Sequence, residues 1–346
     1  MDDPLLPIFD GLSGRQREQA LGCFEEVTVH HGTSLIVEGD EDASLIYVVA
    51  GELEVRTGEL ELWTARSGEM VGEIGLFTGG VRTATVETNT EATLLILTVE
   101  GYEELVERGN PVAATLEQRA LKALVNRLRS VDGRIAQLAE GTPLGEMKPD
   151  PGFFDRVRSL FGTGGQRRSP ILDVPSALSK TLLFKSARPA ALDELASSFG
   201  VEAWGPGHVL CEEGEPGDRL YMLVEGLVDV LVGTHDDRVE PVATLDTGDA
   251  FGMAGLVDQR PRTATCVCRG EVVVLVLDRD GWAKNVDRAD GAGQALRVAM
   301  IRSLAEQLAY ANGQLALLDL TAQAQDLTPL LMATAAVEAQ GRSLGG

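Results

Sequence analysis

The sequence predicts a mainly β protein with flanking helices: two tandem jelly-roll barrels, each closed by a long C-terminal α-helix. Three observations carry that prediction. The first is an internal repeat. Phe9, Phe24, Gly32, Gly39 and Gly51 recur as Phe184, Phe199, Gly207, Gly214 and Gly226, each displaced by 175 positions. Further on, Gly68, Gly72, Leu76 and Arg82 to Thr85 recur as Gly248, Gly252, Leu256 and Arg262 to Thr265, displaced by 180. The second is that each copy consists of short alternating apolar runs punctuated by Gly and Asp, the pattern of antiparallel sheets. The third is a closing run of apolar residues at heptad spacing in each copy.

The elements follow in order. Ser13 stands where it can cap a short opening helix, and Pro189 marks the start of its counterpart in the second copy. Residues 44–51 read as a strand, matched by residues 219–226. The change of offset falls between Gly51 and Gly68, where the second copy has the extra polar residues 233–237; they predict a lengthened hairpin loop. Leu124, Leu128, Val131, Ile135 and Leu138 form the first helical seam, and Ile301, Leu304, Leu308, Ala311, Leu315 and Leu318 the second.

A stripe this narrow favours pairing with another long helix over packing on a barrel. The pairing is either an intramolecular pseudo-dimer or a homodimer, and both remain open at this point. The expected domains are 1–140 with a closing helix at 111–140, a linker at 141–175, 176–320 with a closing helix at 292–320, and a tail at 321–346.

Composition bounds the function. The 346 residues include 53 acidic and 30 basic side chains, a formal charge of −23. Such a mean field repels polyanions, so neither nucleic acid nor an anionic membrane is an expected partner. At 44% apolar the chain is ordinary for a globular protein, no apolar run approaches the ~20 residues of a membrane span, and the N-terminus lacks a signal-peptide pattern. Cys23, Cys211, Cys266 and Cys268 form no CxxC pair. Cys266 and Cys268 share one strand face, but no further ligand lies nearby in sequence, so core or surface thiols in a reduced, cytoplasmic protein are expected, with no metal.

The most informative run is Gly72-Glu73-Ile74-Gly75-Leu76-Phe77-Thr78-Gly79-Gly80-Val81-Arg82-Thr83-Ala84-Thr85. It resembles the phosphate-binding cassette of cyclic nucleotide-binding domains, the module of catabolite activator proteins, cyclic-nucleotide-dependent kinases and gated channels. Residues 32–40 and 47–55 resemble the glycine-marked strands of that family, and the resemblance covers roughly 8–140 and 183–320. It implies that Gly72, Glu73, Ile74, Gly75, Arg82, Thr83 and Ala84 bind a cyclic nucleotide, with Glu73 accepting from the ribose 2′-hydroxyl. The chemistry is consistent with that role. A guanidinium offers a phosphate paired donors where lysine offers a point charge, and glycine permits close backbone approach. Val71 and Val81 depart from the family's aromatic residue and proline, changes expected to affect packing.

In the second copy Gly252, Gly255, Arg262 and Thr263 are retained, but Met253 replaces the glutamate. A thioether is a weak acceptor, so the ribose hydroxyl would lose its partner at about 1–3 kcal/mol, roughly 10- to 100-fold in affinity. The second site is therefore expected to be weak, altered or structural. Alignment of the closing helix with the activator family places Val131 and Asp132 as possible base contacts, and an Asp acceptor for the adenine amino group modestly favours cyclic AMP over cyclic GMP.

No catalytic set is present, and only 26 residues follow position 320, too few for the winged helix of the activators. Residues 152–162 form a short amphipathic segment, with Arg156 and Arg158 beside Phe153, Phe154, Val157, Leu160 and Phe161. It fits either docking on a barrel or contact with a partner or membrane. The expected function is a non-enzymatic cyclic nucleotide sensor that alters helix-mediated contacts with an unknown protein partner. The alternative is a ligand-independent scaffold built from degenerate domains.

Overall fold

The structure is a computed structural model that describes residues 6–140, 165–231 and 241–343. In the first copy a capping box between Ser13 and Gln16 starts helix α1 (Gly14–Leu21), as the sequence predicts. Eight strands follow: β1 (Phe24–Val29), β2 (Ser34–Ile36), β3 (Ser44–Ala50), β4 (Glu52–Thr57), β5 (Leu60–Arg66), β6 (Met70–Val71), β7 (Thr85–Thr88) and β8 (Ala92–Thr98). They form two antiparallel sheets in the orders β1-β8-β3-β6 and β2-β7-β4-β5. Ile36, Ile46, Val48, Leu53, Val86 and Leu94 fill the space between them. Helix α2 (Glu73–Thr78) interrupts the strands between β6 and β7; α3 (Val99–Glu107) and the long α4 (Pro111–Glu140) follow β8.

The second copy repeats this plan. Helices α5 (Val174–Lys180) and α6 (Pro189–Ala196) precede its main strands, and α7 (Ala254–Asp258) holds the place of α2. Helices α8 (Arg279–Val286) and α9 (Gly291–Ser343) end the chain. One sheet runs Ala250–Phe251 (β15), Arg219–Glu225 (β12), Val272–Asp278 (β17), Gly200–Trp204 (β10) and Gln166–Arg167 (β9). The other runs Val209–Cys211 (β11), Thr265–Cys268 (β16), Val228–Leu231 (β13) and Pro241–Leu245 (β14).

Several expectations change. Among the described residues the two sheets of each copy share no paired strands, so each copy is an open jelly-roll sandwich and not a closed barrel. Two of the ladders carry a bulge, at Val48/Ala50 and at Leu223/Glu225. Within the expected linker, β9 joins the edge of β10 and Arg167 pairs with Glu271. Helix α9 runs on through the expected tail segment as far as Ser343. The segment 152–162 and the loop 233–237 lie outside the described residues, although β13 and β14 pair as the hairpin that the loop joins.

The described chain forms two compact units. One contains 6–125 and 165–305, with both jelly rolls; the other contains 126–140 and 306–343. In the helical unit Leu128, Val131, Leu308, Ala311 and Leu315 are buried. The later parts of the two seams thus belong to one helical unit. Among the described residues no helix is long and apolar enough to cross a membrane.

Within the first unit the two long helices are joined by a buried ion pair. Arg297 Nε of α9 donates to Glu117 Oε2 of α4 at 2.6 Å, and both side chains are 1% exposed. Tyr102 donates to Glu117 Oε1 at 2.7 Å, and Arg297 Nη1 donates to the carbonyls of Val286 and Arg288. Removing one member of such a pair strands a buried charge. Arg297→Met is expected to cost about 3–5 kcal/mol in urea unfolding. The double variant Glu117→Leu/Arg297→Met should cost clearly less than the sum of its singles; strict additivity would contradict the pairing.

Candidate functional site

Strand β6 enters the site through Gly72, whose φ of +81° only glycine adopts without strain. A Cβ there would also lie 2.4 Å from the Ser44 carbonyl oxygen and 2.8 Å from Arg82 Nη1. At Gly75 a Cβ would again meet Arg82 Nη1 at 2.8 Å. The two glycines are therefore the surface against which the guanidinium lies. The loop carrying it is pinned from the other side: Arg82 N–H donates to Asp40 O at 2.8 Å, and Gly39 N–H donates to Arg82 O at 2.9 Å.

Arg82 is 4% exposed, and all five of its guanidinium hydrogens have acceptors. Nε and Nη2 grip Asp42 as a fork, at 2.9 and 2.6 Å. Nη1 donates to the carbonyls of Ser44 (2.8 Å) and Gly72 (3.2 Å), and Nη2 also donates to Ser44 Oγ at 2.8 Å. Hydrogen bonding from Arg82 holds the Asp42 carboxyl below its usual range. Glu73, the first residue of α2, is buried at 1% exposure. Ile74 and Ala84 are half-buried, and Thr83 is exposed.

Sequence reasoning missed Asp42 and Ser44. The acidic run Asp40-Glu41-Asp42 was visible, but nothing local tied it to an arginine 40 residues away.

The second copy keeps the backbone and changes the counter-charge. Gly252 has a φ of +79°, a Cβ on it would lie 2.4 Å from Arg262 Nη1, and that nitrogen donates to Gly252 O at 2.6 Å. Arg262 is also pinned through Glu215 O and Gly214 N–H, as in the first copy. The place of Asp42, however, is taken by Gly217. Its Cα would lie 2.4 Å from a Cβ on Gly255, so the loop closes onto α7, helped by a bridge between Pro216 and Pro261. Asp218 reaches Arg262 only at 3.8 Å, and the buried Arg262 Nε has no hydrogen-bond partner. Met253 is buried at 1% exposure in the place of Glu73, and Thr263 is exposed. Gly252, Gly255 and Arg262 are brought together, in a more closed setting than their counterparts.

Val131 and Asp132 belong to the helical unit, where Val131 is buried and Asp132 half-buried. Burial pushes the Asp132 carboxyl up to about 6, against the opposing charge of Arg129. Among the described residues no group of three or more His, Cys, Asp or Glu is placed to hold a metal.

The sequence profile of the cyclic nucleotide-binding domain matches residues 26–108 and 201–288, one match in each jelly roll. This chain carries two cyclic nucleotide-binding domains in tandem. It is similar to the cGMP-dependent protein kinase egl-4 of Caenorhabditis briggsae, 22% identical over 81% of this chain and 30% of that protein. It is also similar to a CRP-like cAMP-activated global transcriptional regulator of Mycobacterium tuberculosis, 32% identical over 40% of this chain and 60% of the regulator. The chain thus spans under two thirds of the length of these relatives. Among solved structures, the regulatory domain of Toxoplasma gondii PKA with cAMP is 19% identical. That match covers 80% of this chain and 86% of the other at a TM-score of 0.30.

Asp132 offers a test of the helical unit. Its raised pKa means that the folded state holds a proton the unfolded chain has released, so its contribution falls as pH rises from about 4 to about 6. Asp132→Asn, neutral at every pH, is expected to be more stable than the parent at neutral pH. That advantage should vanish toward the acid end of the window, as followed by thermal melts in far-ultraviolet circular dichroism. An advantage independent of pH would contradict the burial.

Proposed function

We propose that this chain is a non-catalytic cyclic nucleotide sensor that binds one ligand tightly, in its first domain. The reading rests on one arrangement: Arg82 is buried against Gly72 and Gly75, with Glu73 buried at the adjoining helix start. In this scheme the cyclic phosphate takes over the Arg82 fork from Asp42, with backbone N–H groups near Gly75 and Thr83 as further donors. Glu73 accepts from the ribose 2′-hydroxyl, which distinguishes ribose from deoxyribose. Asp42, released into water, is well solvated, since its side chain is already 55% exposed. The exchange swaps one anion for another on a guanidinium that stays charged and buried.

Cyclic AMP is the favoured ligand. Binding would then change the helix-mediated contacts offered to a protein partner. The second domain supports the scaffold reading on its own account: Met253 removes the ribose acceptor, and Gly217 closes the loop on Gly255. We therefore assign it a mainly structural part, with a weak or altered site at most.

Isothermal titration tests the scheme. One tight site for cyclic AMP is expected, lost in Arg82→Ala and kept in Arg262→Ala. Two equal tight sites, or none, would overturn it. Asp42→Ala removes the competing carboxylate and is expected to tighten binding several-fold. Weaker binding in that variant would show that Asp42 positions Arg82 instead of competing for it.

A further inference from the structure

The second domain differs from the first at one more cluster, which nucleotide binding does not use. In the first copy β2 pairs with β7 so that Ile36 lies opposite Val86. In the second copy the corresponding register places Cys211 opposite Cys266, across β11 and β16. Residues opposed on an antiparallel ladder have Cα atoms about 4.5–5.5 Å apart, inside the roughly 4.4–6.8 Å span that a disulfide bridges. Both side chains turn into the same core, and the Cys211 thiol donates to Ala264 O at 4.0 Å. Both cysteines are free thiols in this structure.

We propose that Cys211 and Cys266 form a redox-active dithiol, which hydrogen peroxide converts into a disulfide joining β11 to β16 beside the second site. The two sulfurs have different environments. Cys211 has the Cys266 thiol, the Cys266 backbone N–H and the Arg262 charge directed at it, and together they lower its pKa against the penalty of burial. Cys266 is shifted the other way, by the neighbouring Cys211 thiol and by burial, and remains a thiol. Arg262 is available for this role because no side chain forks it as Asp42 forks Arg82.

Cys211 is therefore the attacking sulfur. Its thiolate attacks one peroxide oxygen; the S–O bond forms as the O–O bond breaks, and hydroxide leaves to collect the proton that Cys211 released. The Cys266 sulfur then attacks the Cys211 sulfur. The S–S bond forms as the S–O bond breaks, and the Cys266 proton leaves with the hydroxyl as water. Two electrons pass from the sulfurs to the peroxide, yielding two waters. Cys268 is a poor participant. Burial pushes its thiol up to about 12, and two residues along one strand lie roughly 6.6 Å apart, near the limit for a bridge.

The experiment treats the full chain with hydrogen peroxide under native conditions and maps its peptides without reduction. The expected result is a Cys211–Cys266 link that dithiothreitol reverses, with Cys23 and Cys268 still available for alkylation after unfolding. Cys266→Val, which restores the first copy's residue, should leave Cys211 as a sulfenic acid trapped by dimedone. Cys268→Thr, again the first copy's residue, should leave the link intact, and it keeps the test valid if the valine variant folds poorly. Free Cys211 and Cys266 thiols after oxidation, a Cys266–Cys268 link, or a Cys211–Cys266 link formed only in the unfolded chain would each overturn the proposal.

Discussion

Each domain is organised around a buried arginine that must keep its charge. A guanidinium sealed under a glycine turn cannot shed its proton, so its surroundings have to supply acceptors or an anion. Gly72 and Gly252 bring a backbone carbonyl onto Arg82 and Arg262 from above, and Asp40 and Glu215 carbonyls accept from the backbone N–H behind them. Those contacts are common to both copies. The anion is not: Asp42 forks Arg82, whereas Gly217 leaves Arg262 with a single close acceptor and a distant Asp218. From that difference follow a first arginine fully supplied with acceptors and a second whose buried Nε has none.

The acidic balance of the chain takes on a more definite meaning in this light. A net charge of −23 repels polyanions at a distance, but within the first site the nearest ionisable groups are the Arg82 guanidinium, the Asp42 carboxylate that it grips and the buried Glu73.

The domains are also joined through side chains that anchor the long helices. Glu117 and Arg297 couple α4 to α9. Arg302 of α9 donates to Phe77 O at the end of α2, to Leu183 O at 2.9 Å and to Ser186 Oγ at 2.8 Å. The helix that carries the first domain's glycine turn is thereby hydrogen-bonded to the closing helix of the second. Phe77 also stacks edge-on against Tyr102, which itself bonds to Glu117. Movement of α2 would be felt along this chain of contacts by both long helices.

The sequence by itself determined the duplication, the jelly-roll strands, the two glycine turns with their arginines, and the loss of a carboxylate at Met253. These are legible because they are local: residue type, spacing of a few positions, and the same spacing found again 175 or 180 residues later. The tertiary structure alone decided what stands opposite each arginine, that β9 extends the second sheet, and that Cys211 faces Cys266. It also decided that the later halves of both seams gather into one helical unit. Asp42 and Arg82 are 40 residues apart, and Glu117 and Arg297 are 180 apart. Coulombic and hydrogen-bond energies depend on distance through space, and the chain's periodicity, which sets each element in turn, carries no record of which elements will meet.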